Sequence, residues 1–447
     1  MSAAELHSVR LSAFKSFRGA ELPVDPVTVL TGRNNSGKSN ALDAIEVLSR
    51  LATGEEVSDA LDGRRREGGP VRGGSRGCAP HGLGFFDLGC TVGVGHRRYS
   101  FDVVVGVEPE LRILRERLRG PAPTVETGAV EYRDLLRTVG ADRHRTGIRA
   151  EVFNGKRGAN PSLRFRDTRL LTSQLLGRMA PDNRATRAVL NGAAAVTAAL
   201  RGVFHLDPVP HLMRDYVPER DADLRRTGEN LSAAIARLME ENTHAFARFQ
   251  QIVCGVAGEP IQAVEFTRSS LGDVMLALRE GKGSHELTPA REMSDGLLRF
   301  MAVAAALLSA ARGLDLDPGV TATPTDLAAG ILLVIEELES GLHPSQAIKV
   351  LDLIRETTAG TTTRVALTTH SPALLNAVTG TLNESVYVCY RDSASSASRI
   401  ARLTELPGYA EAMASGRIGD SVAAGQLTAP AESEADFGEF HRILGLC

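Results

Sequence analysis

The sequence is poor in cysteine and aromatic residues and contains no tryptophan, and these shortages argue against several classes of protein. The five cysteines are scattered without C-x-x-C spacing, so neither a disulfide framework nor a zinc site is indicated, and a reducing cytoplasm is expected. Aromatic residues make up only 4% of the chain, so stacking surfaces for single-stranded nucleic acid are not indicated.

Long apolar runs are also missing. No stretch reaches the ~18 apolar residues of a membrane-spanning helix, and the N-terminus lacks the charged and then apolar pattern of a signal sequence. The 447 residues carry a net charge of −3, with 43% hydrophobic and 23% charged residues. These values predict a soluble globular protein with about two to three domains' worth of chain and no membrane partner.

The most informative stretch is Gly-Arg-Asn-Asn-Ser-Gly-Lys-Ser at residues 32–39, which fits the phosphate-binding pattern G-x-x-x-x-G-K-[ST]. An apolar, β-branched run at 27–30 predicts a buried strand before it, and helical spacing over 40–48 predicts a helix after it. Strand, turn and helix N-terminus together form an anion site. We therefore predict that nucleotide is contacted by Gly32, Arg33, Asn34, Asn35, Ser36, Gly37, Lys38, Ser39 and Asn40.

Within this stretch, Lys38 is expected to reach the β- and γ-phosphates, and the Ser39 hydroxyl to bind Mg²⁺. A second metal ligand is predicted where the apolar run 331–335 ends in two acids. Glu336 would hold the Mg²⁺ shell and Glu337 would act as general base towards water. The alternative is a core strand followed by a solvated acidic turn.

Two further segments have both a functional and a purely structural interpretation. Ser294-Asp295-Gly296 precedes a predicted helix, and Ser294 is a natural N-cap. In the functional interpretation, Gly296 admits a phosphate close to the backbone. In the structural interpretation, the segment is only the start of an ordinary capped helix. His370 follows the strand 364–368, where an imidazole can donate to a γ-phosphate oxygen or be structural.

The alternation of strands and helices at both ends of the chain predicts an α/β fold with a parallel sheet. We expect an N-terminal lobe at 1–107, a mostly helical, arginine-rich insertion at 108–286 and a C-terminal lobe at 287–447. Separate elements are predicted as a hairpin at 84–107, a mobile surface loop at 62–82, and helices at 110–118, 185–203 and 230–252, the last capped by Asn230.

In this order, the motifs resemble those of the ATP-binding-cassette class of P-loop ATPases, in the soluble branch that includes the SMC, RecF and OLD proteins. The chain is also similar to prokaryotic stand-alone "AAA family" ATP-binding proteins. Four segments carry the resemblance to the ATP-binding-cassette class. The segments are Lys15-Ser16-Phe17-Arg18, Ser294-Asp295-Gly296 as signature, Ile335-Glu336-Glu337 as Walker B, and Thr369-His370-Ser371-Pro372 as switch.

The resemblance implies an ATPase with ATP and Mg²⁺ as ligands, and it adds Lys15 to the ATP contacts. Lys38, Glu337 and His370 would be catalytic, and Ser39 and Glu336 would bind the metal. It further implies a homodimer in which Ser294, Asp295 and Gly296 of one protomer close on the phosphates held by the other. The chain departs from the pattern with Glu336 where Asp is usual, Leu338 where Pro is common, and no evident Q-loop glutamine.

The segment 112–187 contains 17 basic and 8 acidic residues, which indicates either a footprint for DNA phosphates or a solvated arginine-rich surface. The leading hypothesis is an ATPase that couples head closure to a DNA transaction, in repair or in defence against phage and other foreign DNA. A separately encoded nuclease or other effector would complete it. The alternatives are a nucleotide-gated sensor or scaffold with little turnover and a transporter's ATPase subunit.

Overall fold

The computed structural model describes most of the chain. The described residues are 3–63, 69–123, 129–141, 147–256, 261–281, 287–310, 313–316, 327–378, 380–416 and 418–427. No helix among them is both long enough and apolar enough to cross a membrane.

Eighteen strands lie in the described ranges. In chain order they are β1 Ala4–Phe14, β2 Phe17–Pro23, β3 Val27–Thr31, β4 Phe85–Val94, β5 Arg97–Gly106, β6 Arg112–Pro123, β7 Val130–Ala141, β8 Ile148–Val152, β9 Ser162–Phe165, β10 Val203–Leu206, β11 Val217–Pro218, β12 Ile261–Arg268, β13 Asp273–Glu280, β14 Leu287–Pro289, β15 Ile331–Ile335, β16 Thr363–Thr368, β17 Val386–Arg391 and β18 Ser398–Arg402.

Twelve α-helices accompany these strands in the same described ranges. They are α1 Lys38–Ala52, α2 Val57–Asp62, α3 Gly74–Cys78, α4 Leu171–Leu176, α5 Arg184–Arg201, α6 Leu231–Glu241, α7 Thr243–Val256, α8 Asp295–Ser309, α9 Pro344–Thr358, α10 Pro372–Ala377, α11 Tyr409–Ala414 and α12 Ile418–Ala423.

One sheet of 14 strands organises the molecule, in the order β10-β15-β16-β3-β17-β18-β2-β1-β4-β5-β6-β7-β8-β9. The first five strands of this order are parallel to one another, and β18 is antiparallel to β17 and parallel to β2. On the far side, β2, β1 and β4 to β9 pair in antiparallel fashion. A smaller sheet is formed by β11 to β14. The α/β fold class is therefore confirmed.

The register of the parallel strands brings three chain segments to one edge. Thr368 pairs with Leu30, and Ile335 pairs with Leu367, so β3, β15 and β16 end at about the same height. Ligand sites in open parallel sheets lie at the carboxyl ends of the strands. The phosphate-loop segment, the two acids after β15 and the switch segment after β16 therefore meet at this edge.

Helices cover both faces of the parallel strands, which explains why β3 is buried along its whole length. Alternate residues face opposite sides: Leu30 packs in the core that contains α1 and α5, and Val29 packs in the core that contains α8 and α9. β15 divides in the same way, with Leu332 on one side and Leu333 on the other. This packing fixes the position of α1, which follows the phosphate-loop segment.

The expectation of a mostly helical segment at 108–286 is wrong for its first part. Residues 110–118 were expected to form a helix, but β6 to β9 extend the large sheet here. The leucines at 111, 114 and 118 have helical spacing, whereas Arg115, Arg117 and Arg119 recur every second residue and alternate with buried Glu116 and Leu118. The period of two was the informative pattern.

The helix predicted at 230–252 is in fact two helices, α6 and α7, that meet at Asn242. The Asn242 side chain accepts a hydrogen bond from the backbone N–H of Ala245 and so caps α7. Asn230 does not cap α6. Its amide instead donates to the carbonyls of Asp221 and Asp223 and fixes the turn that precedes the helix.

Two shorter predictions have mixed outcomes. The hairpin over 84–107 is confirmed by β4 and β5. The loop predicted over 62–82 lies partly outside the described residues, and its second half, which follows buried Val71, contains α3 with buried Cys78. This second half packs close to α1, so it belongs to the surroundings of the site and is not a detached surface loop.

Candidate functional site

The loop between β3 and α1 has a backbone that requires glycine at two positions. Gly32 and Gly37 have φ angles of 133° and 115°, which side chains strongly disfavour. A Cβ atom at Gly32 would lie 2.1 Å from the carbonyl oxygen of Cys389, and one at Gly37 would lie 2.5 Å from Ser398 Oγ. The loop therefore packs closely against β17 and β18. This packing fixes the loop backbone at the N-terminus of α1.

Lys38 curls back over the loop in this structure. Its Nζ donates to the carbonyl oxygens of Gly32 and Arg33, each at 2.9 Å. Burial lowers the pKa of Lys38, while the carboxylates of Glu337 and Glu339 act in the opposite direction. The ammonium thus lies against the loop backbone, within electrostatic reach of the acids that follow β15.

The other loop residues divide into buried and exposed groups. Ser36 is buried, and its hydroxyl has no hydrogen-bond partner among the described residues. Arg33, Asn34 and Asn35 are exposed, and Ser39 is half-buried at the start of α1. A cavity of about 550 Å³ adjoins this loop, and its wall includes Gly32, Arg33, Asn34, Ser36 and His370.

The side chain of Asn40, near the start of α1, is hydrogen-bonded to Ser16 in the segment before β2. The Asn40 amide donates to Ser16 Oγ at 2.8 Å, and Ser398 Oγ donates to the same oxygen at 2.7 Å. The side chain of Asn40 therefore has a structural partner in addition to its predicted role towards nucleotide.

The two acids after β15 differ in their surroundings. Glu336 accepts a hydrogen bond from Arg72, and its partial burial, together with Asp43 and Asp207, raises the pKa of its carboxyl while Arg72 opposes this. Glu337 has a φ of 47°, an uncommon value for this residue type. Its N–H donates to Thr368 Oγ1, and its carboxylate accepts from Ser340 Oγ at 2.9 Å. Glu337 is therefore held in one orientation at the sheet edge.

His370 lies at the end of β16 and faces the same space. Its backbone N–H donates to Glu339 Oε1, and its ring is half-buried in the wall of the loop cavity. Burial and the nearby Lys38 lower the pKa of His370, against the opposing effect of Glu339 and Glu337. The imidazole is therefore biased towards the neutral form, which can donate one hydrogen bond and accept another.

Lys15 does not point freely over the loop. Its Nζ lies 2.7 Å from Asp43 Oδ2 on α1 and donates to the carbonyl of Arg72. Arg72 in turn contacts both Asp43 and Glu336, so these charges form one continuous chain beside the start of α1. Lys15 is thus close to the predicted metal side of the site, and its contact with ATP stays a prediction.

The signature segment begins α8, as predicted. Ser294 accepts a hydrogen bond from the backbone N–H of Leu297 and caps the helix. Asp295 pairs with Arg214, and a Cβ at Gly296 would lie 2.0 Å from the carbonyl oxygen of Gly341. Among the described residues, no hydrogen bond or ion pair joins 294–296 to the loop of the same chain. The role of this segment towards a partner's phosphates stays a prediction.

These features fit ATP and Mg²⁺. The glycine backbone leaves a cradle that side chains would fill, and the unpartnered Ser36 hydroxyl lies within it. The Ser39 hydroxyl and the Glu336 carboxylate are oxygen ligands of the kind that Mg²⁺ prefers. The arrangement can therefore hold a triphosphate and its cation, and His370 lies in the wall of the same cavity.

Two residues in the site were missed by the motif analysis. Glu339 contacts the backbone of His370, and its second carboxylate oxygen is buried without a partner among the described residues. Arg72 was assigned to a surface loop, although it reaches Glu336. Only the run of three acids within four residues pointed to Glu339, and no sequence signal distinguished Arg72 from its arginine-rich neighbours.

Comparison with known proteins gives one family. The family described as "AAA domain, putative AbiEii toxin, Type IV TA system" matches residues 27–376, which include the phosphate loop, the signature segment, both acids and the switch segment. A search of curated proteins finds no match.

Solved structures with a similar fold include SMC head domains. A head bound to the C-winged helix domain of ScpA is 12% identical, with a TM-score of 0.46, and the match covers 89% of this chain and 97% of that one. The SMC head domain from Thermotoga maritima is 14% identical, with a TM-score of 0.39 and coverage of 89% and 98%.

Proposed function

Because this chain belongs to the AAA-domain family that matches residues 27–376, we propose that it binds ATP with Mg²⁺ and hydrolyses the γ-phosphate bond. The observation that carries the proposal is the position of the Lys38 ammonium. It is hydrogen-bonded to carbonyls of its own phosphate loop, the carboxylates of Glu337 and Glu339 act electrostatically on its pKa, and it lowers the pKa of His370. Binding and reacting groups therefore meet at one sheet edge.

Each side chain has a role that its contacts support. Lys38 would exchange the loop carbonyls for β- and γ-phosphate oxygens. Glu337, oriented by Ser340, would accept a proton from the attacking water, and neutral His370 would hydrogen-bond a γ-phosphate oxygen. Mg²⁺, when bound by Ser39 and Glu336, would neutralise charge on the β- and γ-phosphates.

We propose that the ATP site is completed by a second copy of the chain in a homodimer. The N-terminus of α8 and the exposed Ser294 and Asp295 offer N–H donors and a helix dipole, and within the described part of the same chain they make no hydrogen bond to the loop. A partner protomer would present them to the γ-phosphate. We further assign the protein to the cytoplasm, with DNA as macromolecular partner and a separately encoded nuclease or other effector.

The first test measures ATP binding and phosphate release for the wild type, Lys38→Ala and Glu337→Gln. Lys38→Ala should lose ATP binding. Glu337→Gln should bind ATP normally but release phosphate at a rate at least ~10²-fold lower, because general base catalysis contributes on that order. Its ATP complex should accumulate as a dimer in light scattering. Wild-type turnover by Glu337→Gln would overturn the assignment of the base.

The second test examines whether the site is shared between protomers. Lys38→Ala and Ser294→Arg should each abolish turnover alone, since one removes a loop residue and the other blocks the signature surface. A mixture of the two variants should recover part of the activity, because each heterodimer keeps one intact composite site. A mixture that stays inactive, while both variants remain folded, would contradict the shared site.

A second candidate function is a nucleotide-gated sensor or scaffold that rarely hydrolyses ATP. The ion pair between Arg72 and Glu336 favours it, because this pair occupies a predicted metal ligand. Steady-state phosphate release with and without duplex DNA separates the two functions. DNA-stimulated turnover supports the ATPase, whereas tight ATP binding without turnover in either condition supports the sensor.

A further inference from the structure

The exposed acid of the signature segment has a basic partner from a distant part of the chain. Asp295 is the first residue of α8, and its side chain is 70% exposed. Arg214, which lies 81 positions earlier, ends the 3₁₀ helix Pro210–Arg214, and its side chain is 25% exposed. Its Nη2 lies 2.5 Å from Asp295 Oδ1. The pair therefore presents its acid to solvent and keeps its cation closer to the protein interior.

The guanidinium of Arg214 is fixed in position by further contacts. Its Nη1 donates to the backbone carbonyl of Arg291 at 2.8 Å. Met213, immediately before it, is buried in the core that also contains Leu298 of α8. One side chain thus connects the backbone that precedes Ser294 with the carboxylate that follows it.

An acid at the start of a helix has an ordinary structural explanation. Carboxylates in the first turn are stabilised by the positive end of the helix dipole. This explains Asp295 but not its partner, because a partly exposed ion pair contributes little to stability. Among the residues that the structure describes, Arg214 is the only cation within ion-pair distance of Asp295. The presence of the arginine therefore needs a reason beyond the helix.

The proposed shared site creates a conflict of charge at this acid. The N-terminus of α8 would meet the triphosphate of the other protomer, and its backbone N–H groups favour an anion. The Asp295 carboxylate has the opposite effect, since like charges brought together at an interface oppose association. Loss of water between the protomers strengthens this repulsion, because the local dielectric constant falls. Without a counter-ion, Asp295 would therefore oppose closure of the dimer.

We propose that Arg214 is a positioning residue of the ATPase, which neutralises Asp295 and so allows the signature segment to approach the triphosphate held by the other protomer. This inference rests on the proposed function and its homodimer, and it adds a residue that lies outside the motifs of the site. Arg214 acts through Asp295, because its guanidinium is already bonded to that carboxylate and to the backbone before the helix.

A second ion pair joins the same two segments and provides a comparison. Arg291 Nη2 lies 3.0 Å from Asp215 Oδ1, and both side chains are more than half exposed. This pair links the two segments as Arg214 does, but it leaves the charge of Asp295 unchanged. If the pairs are only structural tethers, both should matter alike. If neutralisation is the function, only Arg214 should matter.

The first experiment is a double-mutant cycle in the full-length protein. ATP-dependent phosphate release is measured for the wild type, Arg214→Gln, Asp295→Asn and the variant with both changes. Arg214→Gln leaves the acid without its counter-ion, so turnover should fall about tenfold or more. The double variant has no acid to neutralise and should recover most of the lost turnover, with Asp295→Asn as its reference. A double variant as slow as Arg214→Gln would overturn the proposal.

Asp215→Asn is the matched control, since it breaks the neighbouring ion pair without exposing the charge of Asp295. It should turn over at a rate close to that of the wild type. Equal losses in Arg214→Gln and Asp215→Asn would show that both pairs are tethers, and would contradict the assigned role.

ATP binding is measured on the same variants at protein concentrations low enough to keep the protomers apart. Arg214→Gln should bind ATP as the wild type does, because the phosphate loop of its own protomer is unchanged, and this also shows that it is folded. Loss of ATP binding would place the effect in the protomer's own loop and count against the proposal.

The second experiment determines on which side of the shared site Arg214 acts. Mixed with Lys38→Ala, Arg214→Gln should regain turnover, because one composite site then joins an intact loop to an intact signature surface. Mixed with Ser294→Arg, it should gain nothing, because both protomers carry a damaged signature surface. Recovery with Ser294→Arg but not with Lys38→Ala would place Arg214 on the side of the loop and would refute its role.

The two proposals fail in different ways. A wild type that neither hydrolyses ATP nor dimerises with it overturns the proposed function, and the role of Arg214 with it. A wild type that hydrolyses ATP, combined with an Arg214→Gln defect that Asp295→Asn does not relieve, overturns the role of Arg214 alone.

Discussion

The guanidinium of Arg72 lies 2.9 Å from the carboxylate of Glu336, although the two residues are 264 positions apart in the chain. Arg72 also lies 3.8 Å from Asp43, which pairs with Lys15. A glutamate in place of the usual aspartate extends the carboxylate by one methylene, which brings it to this arginine. The altered Walker B residue and Arg72 therefore form one unit.

This pair predicts a change in the requirement for Mg²⁺. In Arg72→Ala, Glu336 loses a cation that competes with the metal. The Mg²⁺ concentration that gives half-maximal ATP turnover should therefore be about threefold to tenfold lower than in the wild type. This range corresponds to about 1 kcal/mol, typical of a partly exposed ion pair. A Mg²⁺ titration of phosphate release measures it.

Arg76→Ala provides the matched control, because Arg76 is exposed in the same segment and lies outside the site. It should show the wild-type Mg²⁺ requirement. If Arg72→Ala needs more Mg²⁺ than the wild type, Arg72 supports the metal site and does not compete with it.

Gly37→Ala should impair both the fold and nucleotide binding. A side chain at φ 115° is strained, and its Cβ would lie 2.5 Å from Ser398 Oγ, so we expect a loss of stability of about 1–3 kcal/mol together with weaker ATP binding. Gly177→Ala is the control, since a Cβ there has no neighbour within 4 Å. Thermal unfolding and ATP titration of both variants test this, and equal behaviour would contradict it.

A substitution at Ser36 should affect ATP binding without lowering the stability of the ligand-free protein. Its buried hydroxyl has no partner among the described residues, so Ser36→Ala should leave the stability of the ligand-free protein unchanged or raise it by about 1 kcal/mol, and should weaken ATP binding. Thr28→Val is the contrasting change, because Thr28 Oγ1 accepts from the Asp25 N–H at 2.9 Å and the substitution should destabilise. Denaturant titration with and without ATP distinguishes the two. A Ser36→Ala protein that binds ATP normally would remove this hydroxyl from the site.

Glu116 should make stability depend on pH. Burial raises the pKa of Glu116 to about 7, although Thr172 and the N–H of Leu171 donate to its carboxyl group. The folded state therefore keeps a proton that the unfolded chain releases near pH 4.5. This stabilising contribution is fully present below pH 4.5 and is lost as the pH rises to about 7, a change on the order of 3 kcal/mol.

The measurement is the free energy of unfolding of the wild type and of Glu116→Gln between pH 4.5 and 8. Gln keeps an oxygen acceptor and does not titrate, so the difference between the two proteins isolates this group. The wild type should lose stability relative to Glu116→Gln as the pH increases. Parallel curves would show that the carboxyl is ionised in the folded state throughout.

The parallel part of the fold could be predicted because its local patterns and motifs agree. The apolar runs that became β3 and β15 are bounded by a glycine turn or by acids, and the helix after Gly37 has clear amphipathic spacing. The family match confirms the class of P-loop ATPase that these motifs indicated. The edge strands were harder, because the leucines of β6 fit helical spacing and outweighed the alternating arginines.

The parts of the site that escaped prediction depend on distant contacts. Arg72 reaches Glu336, and Glu339 reaches the backbone of His370, only because the sheet places their segments together. Lys15 pairs with Asp43 for the same reason. Such pairs are set by the topology of the sheet and leave no periodic signal along the chain.

The close approach of Gly296 to Gly341 has a consequence for a pair of protomers. Gly341 follows the acids of a protomer's own Walker B strand, and Gly296 belongs to the surface proposed to meet the other protomer's nucleotide. A shift at one of these backbones must displace the other. Turnover in such a pair would then be cooperative, with each pocket sensing whether its neighbour is filled.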